Sequence, residues 1–117
     1  MSTARSKIEI EYAFETFVEK IQEKVNKYYA MQYQNLKPPT IAVYPGRVYW
    51  KIVKEEGESL GTNCSVYGFV RKADGAIFKA ATWKSPYTKG DSAIRGNVCD
   101  GSNGMDATTA YSIRYAS

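Results

Sequence analysis

From Lys7 to about Gln34 the apolar residues recur at spacings of three and four, and no other feature of this chain limits its folding so strongly. Ile10, Phe14, Phe17, Val18, Ile21, Val25, Tyr28 and Tyr29 form one stripe of a 3.6-residue repeat, with Glu and Lys filling the opposite side. Ser6 stands at the N-cap position, early Glu residues complement the helix dipole, and lysines gather towards the C-terminal half. Pro38-Pro39 forbids continuation. A helix of about 25 residues runs roughly 37 Å at 1.5 Å per residue. That is as long as a domain of 117 residues is wide. Part of the stripe therefore overhangs a single sheet, which predicts a homo-oligomer anchored through the N-terminal helix.

After Pro39 the period changes to two. Thr40–Tyr44 reads as a short strand, Pro45-Gly46 as a turn, and 47–54 as a strand with Val48, Trp50 and Ile52 on one face. Residues 55–62, with two Gly and three Glu, read as a solvated loop. Residues 63–71 and 76–82 form the clearest hairpin, joined across Lys72-Ala73-Asp74-Gly75. Residues 83–106 form a long irregular segment, and Ala107–Tyr115 alternates as a closing strand. The expected fold is α+β: a single domain over 1–117, with an anchor helix over 7–34 packed on a small antiparallel β-sheet of about five strands over 40–115.

Composition narrows the chemistry. The chain has no histidine, which removes the usual general base, nucleophile relay and metal ligand at neutral pH. Cys64 and Cys99, with no His beside them, cannot complete a typical zinc site and read as free thiols. The closely spaced oxygens of Asp100-Gly-Ser-Asn103-Gly lack the Glu of a calcium-binding loop and read as turn chemistry. No cofactor is expected. The first residues lack the apolar core of a signal peptide, and no apolar run approaches a membrane span. The expectation is a soluble, cytoplasmic protein with no membrane partner.

Charge concentrates in one region. Residues 1–36 hold five basic and five acidic groups, whereas 71–97 holds six basic and two acidic. That local excess of four equals the whole net charge of +4. A basic, loop-rich surface attracts anions, and a connection longer than about 15 residues in a small domain is uncommon unless it is functional or disordered. Within the loop 83–106, Trp83 and Tyr87 offer stacking faces, Arg95 and the lysines meet phosphates, Gly96 admits close backbone approach, and Asn97 can read a base edge. Arg71 joins them by charge and position. The bland alternative is a positive sheet edge of the kind that suppresses aggregation.

Gly75-Ala-Ile-Phe-Lys-Ala-Ala-Thr-Trp-Lys-Ser-Pro-Tyr87, followed by Ile94-Arg-Gly-Asn97, resembles the strand-and-loop signature of small phage proteins, most of all the Thoeris anti-defence sponge family. The resemblance is densest from about Val66 to Val98. It implies a non-enzymatic protein, working in the host bacterial cytoplasm, that sequesters cyclic ADP-ribose isomers or related cyclic nucleotides, with possible uptake of cyclic oligonucleotides, in pockets at subunit boundaries. By that resemblance Tyr87 stacks on adenine or ribose, Asn97 hydrogen-bonds the ligand, and Arg114 holds the diphosphate. A basic-aromatic pocket without an acid–base pair suits such a role, since tight binding alone accelerates nothing. The other readings are a single-stranded nucleic-acid binder, for which +4 is a modest charge, a nucleotide-processing enzyme, and a host-interaction protein.

Overall fold

The apolar stripe becomes one buried helix face. The structure is a computed structural model that describes residues 7–33, 37–56, 63–90, 93–109 and 113. Helix α1 spans Lys7–Gln32 and buries Ile10, Phe14, Phe17, Ile21 and Val25 almost completely. Of the helix expected over 7–34, Tyr33 is already outside the helix and Gln34 lies outside the described residues, as does Ser6. At its C-terminal end the rings of Tyr28, Tyr29 and Tyr33 cluster, with the closest centroids, Tyr29 and Tyr33, 5.1 Å apart.

Five strands follow: β1 Thr40–Pro45, β2 Tyr49–Glu56, β3 Asn63–Arg71, β4 Ala76–Phe78 and β5 Ile94–Asn97. They pair antiparallel in sequence order, β1-β2-β3-β4-β5. The fold is α+β, one long N-terminal helix on a five-stranded antiparallel sheet. Neighbouring residues of a strand point to opposite faces, and both faces of this sheet are used. Ile52, Val70 and Ile77 pack with Phe14, Phe17 and Ile21 on the helix side. Phe69, Ala76, Phe78 and Ala93 form a second, smaller core on the far face, joined by Tyr49 and Ala80. A bulge at Ile52/Val53 shifts the β2–β3 register, and both of these residues are buried.

Edge strand β1 is hooked to the helix by one side chain. Gln22 accepts the Ile41 N–H at 2.8 Å through its Oε1 and donates from Nε2 to the Pro39 carbonyl at 3.0 Å. This satisfies two backbone groups that β2 cannot reach.

The structure differs from the sequence expectation in four places. Strand β2 runs two residues later than the expected 47–54, leaving Val48 in the turn and taking in Glu55 and Glu56. Strand β4 ends at Phe78 instead of Thr82. The segment 83–106 is not irregular throughout: Ile94–Asn97 pairs with β4 as the fifth strand. Its four residues carry one aliphatic side chain, too few to show alternation, and the pairing comes from the open edge of β4. The expected closing strand is replaced by a 3-10 turn, Met105–Ala107, and an isolated bridge between Thr108 and Ile113; residues 110–112 and 114–117 lie outside the described residues. The described apolar residues of that segment, Ala107 and Ile113, are core plugs. Ile113 is fully buried and donates its N–H to the Tyr67 carbonyl at 3.1 Å. A Cβ on Gly68 would lie 2.3 Å from Ile113 Cγ1, so only glycine permits this approach. The Lys24 ammonium donates to both the carbonyl and the hydroxyl oxygen of Thr108, at 3.0 and 2.9 Å, and the Tyr67 hydroxyl donates to the Thr109 carbonyl.

The Asp100 segment is a tight turn. The carboxylate Oδ1 accepts the Ser102 N–H at 2.9 Å, the Ser102 hydroxyl at 2.9 Å and the Gly104 N–H at 2.8 Å. Burial alone would raise its pKa, but these donors hold it below the usual value.

Candidate functional site

In an antiparallel meander, alternate turns fall at the same end of the sheet. Here the β1–β2 turn around Gly46–Val48 and the β3–β4 turn around Lys72–Gly75 meet. The Gly46 N–H donates to the Tyr49 carbonyl at 2.9 Å, closing the first turn. The second is closed by the Gly75 N–H to the Arg71 carbonyl at 2.8 Å. The Asp74 carboxylate clamps it further, accepting Arg71 Nε and Nη2 at 3.0 and 2.7 Å and the Ala76 N–H at 3.1 Å. The hydrogen bonds from Arg71 outweigh partial burial and hold Asp74 below the ordinary carboxylate pKa. The Lys72 N–H then donates to the Val48 carbonyl at 2.9 Å and staples the two turns together.

The first turns of α1 come alongside this staple. Together they enclose a depression of about 600 Å³ lined by Lys7, Ile10, Glu11, Arg47, Trp50 and Lys72, among others. The Trp50 ring is a fixed wall: it stacks on Phe14 with centroids 4.1 Å apart and planes 11° from parallel. Lys72 Nζ lies 5.8 Å from the Trp50 centroid. Among the described residues no ion pair involves Lys7, Arg47 or Lys72, so against the single carboxylate of Glu11 the depression keeps a positive field.

Behind the β1–β2 turn, on the far face of the sheet, lies a second depression of about 380 Å³. Tyr44, Arg47, Tyr49, Lys51, Phe69 and Lys84 line it, with no carboxylate among its lining residues. Lys51 is held in place: its Nζ sits 4.0 Å from the Trp83 ring centroid and donates to the Trp83 carbonyl at 3.0 Å. The Tyr44 hydroxyl donates to Glu55 at 2.8 Å, a bond that raises its pKa. Arg47 and Val48 line both depressions, so the turn that carries them is the partition between the two.

The residues singled out from sequence are distributed differently. Trp83 is half-exposed and serves as the platform for Lys51. Tyr87 is also exposed, its N–H bonded to the Lys79 carbonyl at 2.8 Å. Asn97 spends both ends of its amide on the backbone, donating to the Asp74 carbonyl at 2.9 Å and accepting the Cys99 N–H at 2.7 Å. Arg71 is engaged by Asp74 and lies over the Phe78 ring. Gly96 is a packing position, since a Cβ there would come 3.1 Å from that of Ala107. Arg95 is half-buried on β5, its Nε buried with no hydrogen-bond partner among the described residues. Tyr87, Arg95 and Asn97 line neither depression. Arg114 lies outside the described residues.

Sequence reasoning missed Lys7, Arg47, Trp50, Lys72 and Lys51. A usable signal was present, because Arg47 follows Pro45-Gly46 and Lys72 precedes Asp74-Gly75. Two cations on turns of equal parity in a meander arrive at one end of the sheet.

No helix among the described residues is long and apolar enough to cross a membrane. No curated protein and no solved structure matches the chain. The profile of a family of unknown function, DUF7717, matches residues 2–113, and the chain belongs to that family.

Proposed function

We propose that the protein binds an anionic nucleotide in the depression between the start of α1 and the two stapled turns, and releases it chemically unchanged. The observation that carries this reading is the convergence of Lys7, Arg47 and Lys72, from three separate elements and in no ion pair among the described residues, around the Trp50 ring stacked on Phe14. Arg meets a phosphate through two parallel donors and Lys through a point charge, while the indole offers a face or edge to a base. A volume of about 600 Å³ lies within the roughly 300–1,000 Å³ usual for small-molecule sites. One carboxylate among cations is a binding arrangement; it offers no evident pair of groups with opposed acid and base roles.

The resemblance of the segment from Val66 to Val98 to Thoeris anti-defence sponges supplies the finer part of the proposal. It makes the ligand a cyclic ADP-ribose-type signal, the action its sequestration, and the setting the cytoplasm of a phage-infected bacterium. Self-association through α1 belongs to the same reading, since Ile8, Tyr12 and Met31 remain exposed along the helix.

The test is calorimetric titration with cyclic ADP-ribose isomers and with adenosine mono- and diphosphates, followed by heat denaturation and chromatography of the released ligand. Micromolar or tighter binding with intact ligand recovered supports the proposal. Altered ligand makes the protein an enzyme, and no binding of any nucleotide refutes the site.

A further inference from the structure

The nucleotide site proposed above has a continuation that a single nucleotide does not use. The helix-side depression and the far-face depression are separated only by the β1–β2 turn, and Arg47 lines both. Lys7 and Lys72 stand on one side of it, Lys51 and Lys84 on the other. Aromatic rings that are at least partly exposed accompany the cations on each side: Trp50 in the first depression, and Tyr44 and Tyr49 in the second. Among the described lining residues five cations face one carboxylate, Glu11.

We infer that the site runs continuously around the β1–β2 turn and that, besides a single nucleotide, it takes a linear phosphodiester-linked chain of two or more nucleotides, with Arg47 holding a phosphate at the crossing. The inference rests on the nucleotide reading of the first depression. Cations interleaved with ring faces are what single-stranded nucleic acid needs, because phosphates and bases alternate along it. An acidic peptide satisfies the cations but presents no flat ring at each step. Lys51 is preorganised for the task, since the Trp83 ring and carbonyl already fix its ammonium group.

The experiment compares thymidylate with thymidine oligonucleotides of two, four and eight nucleotides, titrated into the full chain at 50 and 200 mM salt, with octa-aspartate as a control polyanion. The four-nucleotide oligomer is expected to bind at least tenfold more tightly than thymidylate. If three phosphates are neutralised, its affinity should fall about 20-fold between the two salt concentrations. Lys84→Ala, an exposed position, should weaken the oligomer several-fold and leave thymidylate unchanged, whereas Lys72→Ala should weaken both. Oligomers that bind no more tightly than thymidylate, or octa-aspartate that matches them, would overturn the inference while leaving the nucleotide site standing. Failure of folded wild-type protein to bind thymidylate and every oligomer would overturn the inference too, and the nucleotide site falls with it only if the cyclic ADP-ribose isomers and adenosine phosphates also fail to bind.

Discussion

The backbone N–H of Lys72 donates to the carbonyl of Val48 at 2.9 Å, which extends the β2–β3 ladder past the Tyr49–Arg71 pair and joins the β1–β2 and β3–β4 turns into a single rim. It places the side chains of Arg47 and Lys72 on the same depression, although 25 positions separate them in the chain. Lys72→Ala keeps the backbone bond and removes the charge. Nucleotide affinity should drop about tenfold, the 1.4 kcal/mol typical of a charge-assisted contact, with the thermal midpoint unchanged. Arg47→Ala should do the same. A loss of Tm in parallel with affinity would show that these side chains hold the rim together instead of reading a ligand.

Tyr87 separates two locations for the site. By resemblance to the sponge family, Tyr87→Ala abolishes binding; with the ligand between α1 and the turns, it leaves affinity within a factor of two. Asn97→Ala is a poor probe, because the amide donates to Asp74 and accepts from Cys99. That variant should lose stability by roughly 1–3 kcal/mol whatever binds. Calorimetry on Tyr87→Ala, with denaturant melts on Asn97→Ala, distinguishes these outcomes.

Gly68→Ala tests the packing of the C-terminal segment. The new methyl would meet Ile113 Cγ1 at 2.3 Å and the Phe78 carbonyl at 3.1 Å. Overpacking of this kind costs roughly 1–3 kcal/mol. Pairing it with Ile113→Ala should recover part of the loss, because the second change vacates the space the first one needs. Strictly additive destabilisation in urea melts would show that Ile113 does not lie against β3.

Gln22→Ala should release the start of β1. It deletes the acceptor for the Ile41 N–H and the donor to the Pro39 carbonyl, at a cost of roughly 1–3 kcal/mol for the partly buried groups left unpaired. Hydrogen exchange at Ile41 should accelerate, while the amides of β2 and β3 keep their protection.

The pH dependence of stability has a sign at each end. Burial raises the Tyr67 hydroxyl far above its ordinary value of 10.0, outweighing its hydrogen bonds to Thr108 and Thr109. The unfolded chain therefore ionises first, and stability present at neutral pH is lost as pH rises past about 10. Asp74 and Asp100 are held below their ordinary 3.8, so their contribution is present above that value and disappears as pH falls through the depressed ones. Tyr67→Phe should flatten the alkaline limb of a stability–pH curve and leave the acid limb in place. An unchanged alkaline limb would exclude Tyr67 as its cause.

Local chemistry alone determined the helix and most of the sheet. The spacing of Ile10, Phe14, Phe17, Ile21 and Val25 admits one buried face whatever packs against it, and Pro38-Pro39 ends the pattern by removing donors and fixing the backbone. Asp74-Gly75 specifies the β3–β4 turn because a positive φ, here 80° at Gly75, costs glycine nothing. The remainder depended on contacts that no local pattern encodes. Strand β5 exists because β4 offered an edge, and Ile113 became a core plug because Gly68 left room for it. Asn97 and Arg71 look like ligand-binding residues in sequence, yet both are engaged by the β3–β4 turn. Lys7, Arg47 and Lys72 look like scattered surface charges and become neighbours only when the meander brings its turns to one end, beside the start of α1. Proximity across 65 positions of chain is a property of topology, and tertiary structure alone decided it.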